Sequence, residues 1–276
     1  MVASRLRDRF GPEIFVGARD ATDAELLTVH TREYLELVKR ECAPGSRARY
    51  LSTGDVVVDD ASLAVARRAA GGAVVAIETA AATGKPVFAL VRPPGHHAEA
   101  KAGMGFCLFN NAAIAARAYL RARGGRVLVV DFDYHHGNGT QGVAGSGLSY
   151  LSTHASPAYP GTGGESYGLP GGAEVINVPI AATGIPTESF VLTWRRLLRD
   201  AARRIKPTAI VVSAGFDYVK GDPVGDLGVD VEAATELAEA LAEAAADCRA
   251  PIAYVLEGGY DVDALTESIA RVIEAS

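Results

Sequence analysis

Val127-Leu-Val-Val-Asp131-Phe-Asp133-Tyr-His135-His136-Gly-Asn138-Gly139 holds the key to both the fold and the chemistry of this chain. Val127–Val130 is a short run with no polar face, the pattern of a strand in a parallel sheet covered by helices on both sides. Directly behind it come two carboxylates, two imidazoles, an amide and two glycines. A strand that delivers such groups at its carboxyl end points to the ligand-binding edge of an open α/β sheet.

The same grammar recurs on either side. Val87–Val91, Glu174–Ile180, Ala209–Ser213 and Ile252–Leu256 are further strand-like runs rich in Val, Ile or Leu. Val87–Val91 is followed by Arg92-Pro-Pro-Gly-His96-His97, Ala209–Ser213 by Ala214-Gly-Phe-Asp217, and Ile252–Leu256 by Glu257-Gly-Gly-Tyr260. Tyr150-Leu151 leads into Ser152-Thr153-His154. Five strands therefore place reactive groups on one edge, which core packing alone does not explain.

Helical segments separate the strands. Thr22-Asp-Ala-Glu25 fits a capping box opening a helix toward His30. Asn110 is placed to cap Asn111–Arg123, which stops at Gly124-Gly125. Thr187 is the expected cap of a helix through Arg204, and Asp230 and Asp261 head the last two helices. The Ala-rich stretches 61–82 and 233–246 read as helices. Strand and helix alternate with no linker, composition shift or repeat, so the expectation is one α/β domain over residues 1–276.

Composition narrows the function. With 49% hydrophobic and 22% charged residues among 276, the chain is an ordinary globular protein, not a disordered, collagenous or coiled-coil one. Lys plus Arg total 27 against 33 for Asp plus Glu, a net charge of −6 that lacks the basic footprint of a nucleic-acid binder. Cys42, Cys107 and Cys248 form no close pair and are odd in number, which argues against a disulfide framework. No apolar run is long enough to span a membrane, and Arg5, Arg7, Asp8 and Arg9 precede no signal-like core. The expectation is a soluble cytoplasmic protein that touches neither nucleic acid nor membrane.

Asp133 and His135 stand two apart, so on an extended segment they face the same side. Asp217, from another strand end, is the third candidate ligand. One imidazole and two carboxylates leave a coordination position open, the pattern of a catalytic metal. The donor set suits Zn²⁺ best, with Fe²⁺ the alternative. His96-His97 follows a Pro-Pro-Gly corner; paired imidazoles serve proton transfer when one stays charged and the other acts as base, with Asp131 and Asn138 as orienting partners. Gly258-Gly259 lets the backbone approach a ligand, and the Tyr260 phenol can donate to a developing oxyanion.

Taken together, Pro-Pro-Gly-His96-His97, Gly105-Phe106-Cys107, Asp131 through Gly139, Ser213-Ala-Gly-Phe-Asp217 with Gly221-Asp222-Pro223, and Leu256-Glu-Gly-Gly-Tyr260 resemble the zinc-dependent histone deacetylase superfamily. That superfamily also holds the acetylpolyamine amidohydrolases. The match runs in order from His30-Thr-Arg-Glu-Tyr34 to Tyr260. The resemblance implies the three-layer arginase–deacetylase fold, with a parallel sheet of about eight strands between helices. It also implies zinc on Asp133, His135 and Asp217, and His96 with Asp131 as the electrostatic histidine. His97 with Asn138 becomes the general base and later acid, and Tyr260 the oxyanion donor. Asp131, Ser152 and Thr153, with main-chain oxygens of Asp133 and His135, match a structural potassium site. Gly105-Phe106 and Tyr159 match the acyl-lysine tunnel. His30, His136 and His154 have no catalytic role in the family.

Asn138 and the Leu-Glu-Gly-Gly-Tyr signature resemble the class II and bacterial class II-like branch. Val224 occupies the position where the polyamine-selective relatives carry a carboxylate, so the implied substrate is acyl-lysine or another small acylated amine, with an acetylpolyamine as the alternative. A ureohydrolase would need further carboxylates for two manganese ions, and a binding module without turnover would not need every catalytic position filled. Family members carry a His-Pro-Glu-x-Pro-x-Arg segment ahead of the region matching His30; only residues 1–29 precede it here. The mouth of the pocket is then expected to be wider, closed by a second subunit of a homo-oligomer, or built from Arg19–Asp23.

Overall fold

The structure, a computed structural model, describes residues 1–276. Its strands are β1 (Val87–Ala89), β2 (Val127–Asp131), β3 (Leu148–Ser156), β4 (Tyr167–Gly168), β5 (Glu174–Ala181), β6 (Ala209–Ala214) and β7 (Ile252–Leu256). They form one sheet in the order β1-β7-β6-β2-β3-β5-β4, parallel throughout except where the two-residue β4 pairs antiparallel with β5. The helices are α1 (Val2–Phe10), α2 (Asp23–Leu26), α3 (Arg32–Glu41), α4 (Ser62–Thr83), α5 (Asn111–Arg123), α6 (Asn138–Gly142), α7 (Thr187–Ile205), α8 (Ala233–Cys248) and α9 (Val262–Ala275). The architecture is the expected three-layer α/β one, with seven strands where the resemblance implied about eight. No helix is long and apolar enough to cross a membrane.

The strand side chains show why the runs lack a polar face. Leu128 and Val130 of β2 point into a core with Trp194, Phe190 and Leu237 from α7 and α8. Val127 and Val129 point the other way, to Ala73 and Ile77 of α4 and Ala112 of α5. All five β2 residues are buried. Burial of each large aliphatic side chain contributes roughly 1.5–3 kcal/mol, so both helix layers are held by the same strands.

The caps are partly as expected. Both hydrogen bonds of the Thr22–Glu25 capping box form, but α2 ends at Leu26. The next helix, α3, has its own start, capped by the Thr31 hydroxyl. Asn110 caps α5 through Ala113 N at 3.0 Å, and Asp261 caps α9. Thr187 is the first residue of α7 and not its cap. Its hydroxyl donates to Asp230 Oδ2 at 2.9 Å and accepts from Asp230 N at 3.0 Å. That exchange occupies Asp230, and α8 begins three residues later without a side-chain cap.

In β2 the register pairs Asp131 with Ser152 of β3 on one side and with Ser213 of β6 on the other. The carboxyl ends of β1, β7, β6, β2 and β3 therefore lie side by side. Reading across that edge gives His96 and His97, then Tyr260, Asp217, Asp133 with His135, and Ser152 with Thr153.

Candidate active site

Asp133, His135 and Asp217 come together, their donor atoms all within 4.8 Å of one another. Each is buried to 13% side-chain exposure or less. Asp133 is fixed by Gly258 N, which donates to Oδ2 at 2.8 Å, and Asp217 by Tyr134 N, which donates to Oδ1 at 2.9 Å. His135 Nδ1 lies 3.2 Å from Asp133 Oδ1 and 3.0 Å from Asp217 Oδ2. That second oxygen is buried without a hydrogen-bond partner. Burial, and then the Asp133 charge, push the Asp217 carboxyl up to about 7. Burial opposes the charge on His135, yet the two carboxylates overcome it and raise the imidazole to about 10. Two converging buried carboxylates, one oxygen of them orphaned, form a site that demands a cation. The residues therefore fit a divalent metal. A Cβ at Gly258 would lie 2.5 Å from Asp217 Oδ2 and 2.6 Å from Asp133 Oδ2, so only glycine lets this turn approach.

The tandem histidine rings lie with centroids 4.0 Å apart, tilted 45° to one another, and both are buried. Their partners differ. His96 Nδ1 lies 3.1 Å from Asp131 Oδ2, which also accepts from Tyr150 OH at 2.9 Å. His97 Nδ1 lies 2.9 Å from Asn138 Oδ1. The Asn138 amide is oriented by its other end: Nδ2 donates to Glu99 Oε1 at 2.8 Å, and a carboxylate can only accept. His97 therefore carries its proton on Nδ1 and keeps Nε2 free. Burial disfavours charge on both rings. On His96 the Asp133 and Asp131 carboxylates win and raise its proton affinity well above the ordinary value. On His97 burial and the neighbouring His96 charge act together and lower it well below.

Tyr260 follows Gly259, whose φ of 123° suits glycine. Its backbone N–H donates to Asp222 Oδ2 at 2.7 Å, and burial followed by the Asp133 and Asp217 charges raises its phenol. Phe106, at a φ of 67°, turns its half-exposed ring edge-on to Tyr260 at 6.0 Å. Tyr159 stands edge-on to His97 at 5.1 Å. These two rings flank the opening. Asp55 joins them, accepting from Gly105 N at 2.9 Å and from Tyr159 OH at 3.3 Å. Val224 is 43% exposed on the turn whose Asp222 carboxylate holds Tyr260.

Ser152 and Thr153 are fully buried beside Asp131, with Ser152 Oγ 2.9 Å from His154 Nδ1. His136 and His154 pack 4.6 Å apart against Thr162 and Gly163, away from the paired histidines. Burial pushes His30, His136 and His154 each down to about 4.

Four further residues shape the site to which sequence reasoning gave no role: Glu257, Tyr150, Asp222 and Asp55. Glu257 is the most consequential, for its Oε2 accepts from Gly95 N at 2.6 Å and His96 N at 3.1 Å while Oε1 accepts from Ser213 Oγ at 3.1 Å. An acid at the very end of an apolar strand was the available signal. In the Arg19–Asp23 segment, Arg19 forks onto Glu25, and Asp23 pairs with Lys39 and Arg67.

Residues 2–276 match the model of the histone deacetylase domain. Histone deacetylase 15 of Arabidopsis thaliana is 36% identical over 268 residues, covering 94% of this chain and 47% of that protein. Histone deacetylase clr3 of Schizosaccharomyces pombe is 34% identical over 279 residues, covering 94% of this chain and 40% of that protein. The chain thus spans less than half the length of either relative. The crystal structure of the HDA15 HD domain superposes with a TM-score of 0.85 at 34% identity, covering 94% of this chain and 74% of that one. On fold, motif geometry and similarity along its length, this chain belongs to the histone deacetylase family.

Proposed function

We propose that residues 1–276 act as one catalytic domain, a zinc-dependent amidohydrolase that removes an acyl group, acetyl foremost, from an acyl-lysine or similar small acylated amine. The observation that carries this reading is the asymmetry of two adjacent imidazoles beside a buried Asp-His-Asp group: His96 is tied to a carboxylate and His97 to an amide oxygen. Asp133, His135 and Asp217 would hold the zinc. A zinc ion in such a site lowers the pKa of water to about 7 and polarises a carbonyl.

The chain's own groups supply the rest. His97, neutral with Nε2 free, takes a proton from the attacking water as the water oxygen bonds to the acyl carbon. The same nitrogen then returns the proton to the amine as the C–N bond breaks, leaving a free amine and a carboxylate. His96 stays charged and offsets the negative charge that develops nearby. The Tyr260 phenol donates to the carbonyl oxygen as it becomes an oxyanion. Phe106 and Tyr159 grip the aliphatic arm of the amine. Asp131, Ser152 and Thr153, with main-chain oxygens of Asp133 and His135, would hold a structural potassium ion, a reading supported by their burial on the adjacent strands β2 and β3.

A fluorogenic acetyl-lysine peptide, run beside an acetylated polyamine and free arginine, tests the reading. The expected result is acetyl-lysine cleavage that a chelator abolishes and added zinc restores. Preference for the polyamine would replace the substrate class, urea release would replace the reaction, and tight binding without product would contradict turnover.

A further inference from the structure

A groove of about 610 Å³ opens beside Tyr260, and its lining extends well beyond the residues the reaction above uses. It is lined by Val57, Val65, Pro94, Phe106, Tyr260 and Arg92. Val57, Val65 and Phe106 are 66%, 48% and 56% exposed and are gathered along this one groove. Arg92 is the one cation on the lining, and no carboxylate lies within 4.0 Å of its guanidinium. The two acids on the wall are already engaged. Asp59 accepts from Ala61 N and Ser62 Oγ, and Glu257 is turned inward to Gly95, His96 and Ser213.

The groove and the metal-ligand group share two backbone turns. Pro94, Glu257, Gly259 and Tyr260 face the groove. Between them, Gly258 N donates to Asp133 and His96 Nε2 lies 3.8 Å from Asp133 Oδ1. A substrate whose carbonyl oxygen meets the Tyr260 phenol places its acyl carbon beside the wall that Gly259 and Tyr260 share with this groove.

We propose that the groove is an acyl subsite for acyl groups that end in a carboxylate, of succinyl to glutaryl length, with Arg92 as the partner of that carboxylate. This rests on the amidohydrolase reading above and names the substrate class within it. The apolar bank of Val57, Val65 and Pro94 covers the methylenes, and the planar guanidinium receives the carboxylate in a forked hydrogen bond.

Two measurements test it. The first compares kcat/KM for glutaryl-lysine and neutral hexanoyl-lysine peptides in the wild-type chain, Arg92→Ala and Arg92→Lys. The glutaryl-to-hexanoyl ratio is expected to exceed one in wild type, to fall by about tenfold or more in Arg92→Ala, and to recover in part in Arg92→Lys. A ratio that Arg92→Ala leaves unchanged overturns the subsite. The second measures binding of the same two peptides by fluorescence anisotropy, which needs no turnover. Loss of the glutaryl preference in Arg92→Ala supports the subsite, and equal binding by both proteins overturns it. Absence of cleavage of acetyl, hexanoyl and glutaryl peptides alike, with the anisotropy preference intact, overturns the reaction while supporting the groove. Cleavage of the acetyl peptide with no Arg92-dependent preference in either measurement overturns the groove alone.

Discussion

The backbone N–H of His96 donates to the buried carboxylate of Glu257 at 3.1 Å, across 161 residues of sequence. The same oxygen takes the Gly95 N–H at 2.6 Å, so one acid from the end of β7 fixes the turn that carries the His96-His97 pair. Glu257→Ala would leave three buried donors, the N–H groups of Gly95 and His96 and the Ser213 hydroxyl, without this partner, a cost of about 1–3 kcal/mol each, and let the pair drift from the ligand group. The expected outcome is a loss of about 10²-fold in kcat/KM together with a lower melting temperature. Glu257→Gln retains an acceptor oxygen and is expected to keep most of both. Steady-state kinetics and thermal denaturation on the two variants check this.

Tyr260→Phe removes one oxyanion donor and no ligand. A fall in kcat of about 10²–10³ is expected, with KM and bound metal little changed. Acyl-lysine kinetics and elemental analysis of one preparation measure both. An unchanged kcat would remove Tyr260 from the reaction.

Gly258→Ala places a methyl within 2.6 Å of carboxylate oxygens of both Asp133 and Asp217. The turn must retreat, and with it the N–H that orients Asp133. Metal affinity is expected to fall by about 10–100-fold, as when a supporting hydrogen bond of a ligand is lost. Competition against a zinc-binding dye reads it directly.

His30 accepts the Asn110 N–H at Nε2 (3.0 Å) and faces the Glu99 carbonyl at Nδ1 (3.0 Å), an arrangement open only to the neutral ring. Burial lowers its pKa from 6.5 to about 4. The unfolded chain therefore binds more protons between those values, and folding stability falls as pH drops from 6.5 toward 4. The contribution of His30 is about 3 kcal/mol, fully present above pH 6.5. His136 and His154 act in the same direction. Between pH 7 and pH 4 the urea midpoint of the wild-type chain is expected to fall relative to that of His30→Gln, which lacks this contribution.

Much of this was legible before any coordinates. Strands with no polar face named a doubly covered sheet, and the residues behind β1, β2, β6 and β7 converge because parallel strands end on one edge. Asn110 and Asp261 read correctly as caps because a cap is a local contract between a side chain and an amide two or three residues on. Thr187 and Asp230 misled for the converse reason: each meets its cap-forming demand in the other, 43 residues away. Glu257, Tyr150 and Asp55 were invisible as site residues because their work is done on the backbone or side chain of a distant segment. The free Arg92 in its groove belongs with them, since a missing ion pair leaves no trace in sequence.

The central claim is that Asp133, His135 and Asp217 hold one catalytic zinc. Equilibrium dialysis against zinc, followed by elemental analysis of the wild-type chain and of Asp217→Ala, addresses it most directly. The account expects a single tightly held zinc per wild-type chain and none above background in the variant. Equal zinc in the two proteins, or none in either, would contradict it.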